Sequence, residues 1–359
     1  MIGLRLEPRP TPAPGLALAA RIGAGLAALA LAAIPIALAG APVGKAFALM
    51  AEGAFGSLFA TSETFARATP LILTGLAAAV AFRAKLWNIG GEGQLYAGAL
   101  AAVAIGSGVL DLPGPALIPL VMAAGMIAGA VLMLVPTLLK TRFGADEVVT
   151  TLLLNFVVLL FVQMMLEGPL KDPYGMGWPQ SAPILDQAVL PKLMPRMRVH
   201  TGLVIALVVA VGIAIIMART VFGFQVRAVG ENASAARFAG IGVTATFVKV
   251  GLLSGALAGL AGVSEVAGLK GYLTSDLSPG FGYSGIVVAM LAGLNPLGVV
   301  VAALFVAAVF VGADSMSRGV GISSYIADLI VATSLLCVLV GGLVTTYRIR
   351  FTRPEPARS

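Results

Sequence analysis

The chain has 359 residues, 59% hydrophobic and only 11% charged, with a mean hydropathy of +1.00. A soluble globular domain carries about 25% charged residues, so that class is excluded. The net charge of +7 would suit nucleic acid, but the Lys and Arg residues sit between long apolar runs and read as membrane topology, leaving no nucleic-acid partner.

Apolar runs near or above roughly 18 residues recur along the whole length, and in lipid the backbone must satisfy its own hydrogen bonds. The fold class is therefore all-α, a polytopic helical membrane protein. Residues 1–14, with the Pro-rich "PRPTPAPG" at their end, read as a cytoplasmic lead, disordered or extended. A first helix is expected over 15–40. Its end, "ALAG" at Ala37 to Gly40, has the small residues of a signal cleavage site, yet the run is long enough to span and is expected to be retained. Residues 45–60 read as an interfacial helix on the outer face.

Membrane segments follow at 63–82, 91–107, 116–139, 147–166, 201–218 and 246–268, then three less regular ones at 284–293, 296–312 and 322–341. The total is about ten, some short or broken, with both termini cytoplasmic. Arg83, Lys85, Lys140, Arg142, Arg219, Arg227, Arg237, Lys249 and the four arginines of the tail all fall inside. The expected organisation is one membrane domain over 15–344, with a cytoplasmic loop at 219–249 and an extracytoplasmic loop at 167–200. A basic cytoplasmic tail follows at 345–359. The outer loop is rich in Pro and Gly and is expected to fold against a partner protein.

Catalytic and nucleotide motifs fail on inspection. "GFGYSG" at Gly280 to Gly285 spells G-x-G-x-x-G, but no strand precedes it. "GAPVGKA", through Lys45, lacks a spacer and the Ser or Thr of a P-loop. The single histidine, His200, begins a helix at the outer surface, where it is expected to be solvated. The single cysteine, Cys337, in an apolar run, is expected to be packing, so neither a metal site nor a disulfide framework is available.

Transport remains, and polar groups in membrane segments are the place to look. Asn88, Glu92 and Gln94 lie in "NIGGEGQ", where Gly90, Gly91 and Gly93 interrupt the helical pattern. This is either broken backbone beside a solute path or a cytoplasmic loop and helix cap. Asn155, inside "TLLLNFVVLLF", faces another helix or the pathway; Glu265 faces the pathway or the outer interface. Gly251, Gly255 and Gly259 form a small-residue packing ladder.

In the cytoplasmic loop, Glu231 and the N-cap Asn232 open a short helix, Arg237 sits in its last turn and Gly240 ends it. Its apolar positions Ala233, Ala236 and Phe238 are expected to need a partner, either a groove in a cytoplasmic protein or the membrane surface.

The stretch "RAVGENASAARFAGI" resembles the coupling loop of permease subunits of ATP-binding-cassette importers, in the family of branched-chain amino-acid, ribose-type and nucleoside permeases. "LILTGLAAAVAFRAKLWNIGGEGQLYAGALAA", "GADEVVTTLLLNF", "SGALAGLAGVSEVAG" and "PGFGYSGIVVAMLAGLNPLGVVVAALF" resemble that family in the same order. The nucleoside branch is typically close to "FNIGxEGQ" and "NEVxTTxxLN"; this chain has Trp87 and Asp146 where that branch has Phe and Asn. The resemblance implies a multi-pass permease of the bacterial inner membrane, most similar to those that import nucleosides, without a catalytic site or cofactor of its own. ATP and Mg would be bound by a partner ATPase with two nucleotide-binding halves. The other implied partners are a second related permease, an extracytoplasmic solute-binding lipoprotein and membrane lipid. Glu231, Asn232, Ala233, Ala236, Arg237, Phe238 and Gly240 would couple to the ATPase. A monosaccharide or branched-chain amino acid is the alternative solute. A self-contained secondary transporter, using Glu92, Glu265 or Asp328 for ion coupling, is the alternative of a different class.

Overall fold

Apolar runs this long fold as helices, and the computed structural model, which describes residues 3–8, 14–109, 112–323 and 325–352, has a helix at each of the ten expected segments. In chain order the elements are β1 (Gly3–Pro8), α1 (Pro14–Leu38), α2 (Val43–Phe55), α3 (Leu58–Arg83), α4 (Gly91–Gly106), α5 (Gly114–Phe143) and α6 (Glu147–Glu167). After the outer loop come α7 (Gly202–Arg219), α8 (Val221–Glu231), α9 (Ala233–Phe238), α10 (Val243–Glu265), α11 (Phe281–Leu291), α12 (Pro296–Val320), α13 (Ile326–Thr346) and β2 (Tyr347–Thr352). Among the described residues, six helices are long and apolar enough to cross a membrane, or seven if the bent pair Leu26–Leu38 and Val43–Phe55 forms one span. That is fewer than the ten expected crossings. At 16 and 11 residues, α4 and α11 are about 24 and 16 Å long and cannot span the roughly 30 Å core alone.

Residues 1–53 and 312–359 form one unit. Here α1 packs along α13, with Cys337 buried against Ala28 as membrane packing. The expected lead and tail are joined: β1 pairs antiparallel with β2, from Gly3 opposite Thr352 to Pro8 opposite Tyr347. "LRLE" and "RIRF" each alternate apolar and charged residues, a period of two that suits a strand. The remainder of the lead, residues 1, 2 and 9–13, and of the tail, residues 353–359, lies outside the described residues.

Residues 54–311 form the other unit. Ser57 caps α3 by accepting the Ala60 N–H at 3.0 Å, and nearly every α3 residue from Ser62 to Phe82 is buried or half-buried. Around it stand α4, α7, α10 and α11, with α8 touching it as well. The glycine ladder of α10 does pack. A Cβ at Gly255 would overlap the carbonyl oxygen of Gly129 on α5, one at Gly259 would overlap that of Gly125, and Gly98 of α4 meets Gly259 from another side. Backbone therefore touches backbone, as small-residue seams in membranes allow. By contrast α6 and α7 present Leu153, Phe156, Val157, Leu160, Val204, Val208, Val211 and Ile215 outward, a surface suited to lipid.

The long loop at residues 168–200, expected on the outer side, has a short 3₁₀ turn at Asp186–Ala188 as its helical part. It is pinned to its own chain where α10 widens into a π-turn at Val266–Lys270. Leu190 N–H donates to the Ala267 carbonyl (2.7 Å), Ile184 N–H to Gly271 (2.8 Å) and Ser181 N–H to Leu273 (2.9 Å). The loop is thus held in place by its own chain and forms no long helix of its own.

Candidate translocation and coupling site

After α3 the chain turns at Lys85 (φ 56) and runs without helix to Gly90, then begins α4. Buried backbone that is not helical must find hydrogen bonds elsewhere, and α6 supplies them from one face. Glu147, Thr151 and Asn155 recur every four residues, so they stack along one stripe of that helix. Trp87 N–H donates to Glu147 Oε1 (3.2 Å) and Ile89 N–H to Thr151 Oγ1 (3.2 Å). Asn155 Nδ2 donates to the Ile89 carbonyl (2.9 Å), and Gly93 N–H donates to Asn155 Oδ1 (2.8 Å). Glu147 and Asn155 are about 12 Å apart along the axis, so the ladder escorts the broken segment two turns into the protein.

The amides of Asn88 and Gln94 meet behind this ladder, both buried. Asn88 Nδ2 donates to Gln94 Oε1 and to Ser254 Oγ of α10, each at 2.9 Å; Gln94 Nε2 donates back to Asn88 Oδ1 at 2.9 Å and to Met133 Sδ at 3.3 Å. Gly90 N–H takes the second lone pair of Asn88 Oδ1 (2.9 Å), and Ser254 Oγ donates to the Ala77 carbonyl (2.7 Å). The two amides are thus saturated within the chain, tying the start of α4 to α3, α5 and α10.

Glu92 reaches the other short helix. Its Oε2 accepts the Gly282 N–H at 2.7 Å, near the start of α11, so one buried carboxylate lies at two helix N-termini, where negative charge is favoured. Gly282 itself backs onto the Gly91–Glu92 backbone, with no room for a Cβ. Asn155 Nδ2 also donates to Tyr283 Oη (3.1 Å), and Thr74 Oγ1 donates to the Phe281 carbonyl (3.0 Å). Asn88, Glu92, Gln94 and Asn155 therefore form one constellation around the break.

Glu265 does not join it. It lies roughly three turns beyond Ser254 on α10, about 16 Å along the axis, and is buried with Oε1 lacking a hydrogen-bond partner. His200, expected in water, is fully buried, its ring against Gly268 and its Nδ1 accepting the Gly202 N–H (3.1 Å). Burial pushes this imidazole down to about 4, and the charge of Lys192 adds to the effect. The reason for the difference is the outer loop, which closes over the start of α7.

On the opposite arm of the chain, α8 and α9 make a capped hairpin. Arg227 Nη1 donates to the Met217 carbonyl at the end of α7, and Gly230 lies directly against the Arg83 carbonyl at the end of α3. Asn232 caps α9 by accepting the Ala235 N–H (3.0 Å), and Gly240, at φ 81, ends it left-handed. Glu231, Asn232, Arg237 and Gly240 are exposed, and Phe238 is 97% exposed. Ala236, however, points inward with Val229 and Val243, with Ala233 and Phe247 packed alongside. The partner expected for Ala233, Ala236 and Phe238 lies within the chain for the two alanines, which α8 and α10 cover, whereas Phe238 projects from the other side.

Sequence inspection missed Glu147, Thr151, Ser254 and Tyr283. A four-residue polar spacing inside an apolar helix, E-x-x-x-T-x-x-x-N, was the available signal for the first two.

A family model described as the branched-chain amino acid transport system permease component matches residues 60–339. The chain is 36% identical over 314 residues to the glucose ABC transporter permease protein TsgB13 of Haloferax volcanii, covering 85% of this chain and 82% of that one. It is 35% identical over 321 residues to the guanosine ABC transporter permease protein NupP of Bacillus subtilis, covering 89% and 90%. To the nucleoside ABC transporter permease protein NupB of Lactococcus lactis it is 33% identical over 299 residues, covering 81% and 82%. No solved structure matches.

Proposed function

From the premise that the chain belongs to the family of branched-chain amino acid transport system permease components, we propose that it is the membrane subunit of an importer that moves a nucleoside across the cytoplasmic membrane. Membership makes it a permease subunit rather than an enzyme, working with an ATPase and a solute-binding protein. In this reading the ATPase has two nucleotide-binding halves that hold ATP and Mg, the permease partner is a related second subunit, and the binding protein is an extracytoplasmic lipoprotein. Both termini lie in the cytoplasm.

The observation that carries the reading is α9. It is short, capped at both ends, seated on the ends of α3 and α7 through α8, and it projects a large aromatic side chain that the described residues leave 97% exposed. A rigid element with one exposed aromatic is a good anchor for a partner's pocket. The contact surface on this reading is Glu231, Asn232, Arg237, Phe238 and Gly240, with Ala233 and Ala236 shaping it from within. Phe238→Glu should abolish co-purification of the ATPase and with it uptake into vesicles. Full retention of both by this variant would reject α9 as the docking element.

The solute route runs beside the break, with Asn88, Glu92, Gln94 and Asn155 forming its wall and Glu265 lying further along α10. What favours a nucleoside is that two of the relatives above are named for nucleosides or guanosine. A monosaccharide is the second reading, favoured by the similarity to a glucose permease. Parallel uptake of labelled guanosine, glucose and leucine by the reconstituted complex decides between them: guanosine alone should accumulate.

A further inference from the structure

The docking element and the break lie far apart in sequence, yet one continuous line of contacts joins them, and it runs through Lys140, which the site described above does not use, to Glu147, the first rung of its ladder. Ala236 of α9 packs in the cluster that includes Phe247 near the start of α10. Lys140 Nζ, in the last turn of α5, lies 5.7 Å from the centroid of the Phe247 ring. The same ammonium is 2.5 Å from Glu147 Oε1, which accepts the Trp87 N–H, the first rung of the ladder under the break.

Glu147 is not needed to cap α6. Asp146 does that, accepting the Val148 and Val149 N–H groups at 2.8 and 3.4 Å. The Glu147 side chain, only 6% exposed, is left free to bond sideways, to Lys140 on one side and to the Trp87 backbone on the other. From Trp87 each rung follows the last: Thr151 holds the Ile89 N–H while donating to the Glu147 carbonyl at 2.6 Å, and Asn155 holds Ile89, Gly93 and Tyr283.

We propose that Lys140 and Glu147 are positioning residues that transmit displacement of α9 to the break, so that the ion pair couples the ATPase to the transport path. The proposal rests on the reading that α9 receives the ATPase. Its physical content is a chain of packed and hydrogen-bonded groups with a non-helical segment at its end, whose hydrogen bonds to α6 can exchange partners.

The test uses the complete complex in vesicles, following uptake of whichever of labelled guanosine and glucose the unaltered complex accumulates. It also follows ATPase co-purification and ATP hydrolysed per solute moved. Lys140→Met and Glu147→Gln should each keep the ATPase bound while uptake falls about tenfold, within the usual range of coupling energies. Lys140→Arg keeps the charge and should keep most of the uptake. Combining Lys140→Met with Glu147→Gln should lower uptake no further than either alone, because groups acting in series are not additive. Full uptake by Lys140→Met overturns the proposal. So does loss of the ATPase from Lys140→Met and Lys140→Arg alike, which would make the pair a folding contact. Retained ATPase in Phe238→Glu strikes the docking reading instead, so the two failures are distinguishable.

Discussion

Where α5 crosses α10, Gly125 and Gly129 touch Gly255 and Gly259 with no side chain between them. Where α3 gives way to α4, the backbone is open and α6 meets it with a carboxylate, a hydroxyl and an amide. The seam relies on dispersion at short range and tolerates no added atom. The break relies on directed hydrogen bonds and tolerates no missing one. A membrane protein that must hold its framework while part of it moves needs both, since packed backbone resists displacement and hydrogen-bonded rungs can exchange partners.

The largest effect should come from filling the seam. In Gly259→Val the new side chain meets the Gly125 carbonyl, and backbone rather than a flexible side chain must give way. The cost is expected at about 4 kcal/mol or more. Little monodisperse protein should survive extraction and gel filtration, and a normal yield would mean that the helices separate easily.

Emptying the break should cost less stability and more function. Asn155→Leu leaves the Ile89 carbonyl and the Gly93 N–H without partners in a buried site, a loss of about 2 to 4 kcal/mol. The variant should assemble, melt earlier in a thermal unfolding series and transport poorly. Unaltered melting would show that the segment finds other partners.

A smaller effect is expected at the outer end of α10, a region of neither kind, where the buried His200 Nε2 has no partner. With the imidazole held at about 4 against an ordinary 6.5, the unfolded chain takes up a proton as pH falls through about 6.5 and the folded chain does not until about 4. Stability present above pH 6.5 is therefore lost on the way down to pH 4, by up to about 3 kcal/mol. Melting temperatures measured across that window should fall, and His200→Gln should flatten the slope. An equal slope in both proteins would put the proton elsewhere.

Much of this was legible before any fold was seen, because lipid leaves the backbone few options. The helix positions followed from apolar length, the seam from the spacing of Gly251, Gly255 and Gly259, and the interruption at Gly90, Gly91 and Gly93 from the loss of helical pattern. The partners of the interruption were not legible: Glu147, Thr151 and Asn155 bond to residues some sixty positions earlier in the chain. The inner face of α9 was misread for a related reason. Its alanines looked unpartnered within the loop, whereas Val229 and Val243 from the flanking helices cover them. The burial of His200 depended on a loop whose own shape no periodicity announces.

The pairing of β1 with β2 sets the order of events during synthesis. Gly3 is opposite Thr352, so β1 has no partner until α1 to α13 have been made. At roughly 5–20 residues per second, it waits on the order of tens of seconds. Closure of this ribbon therefore comes after every helix between the two strands, and it reports that the whole intervening chain has been delivered.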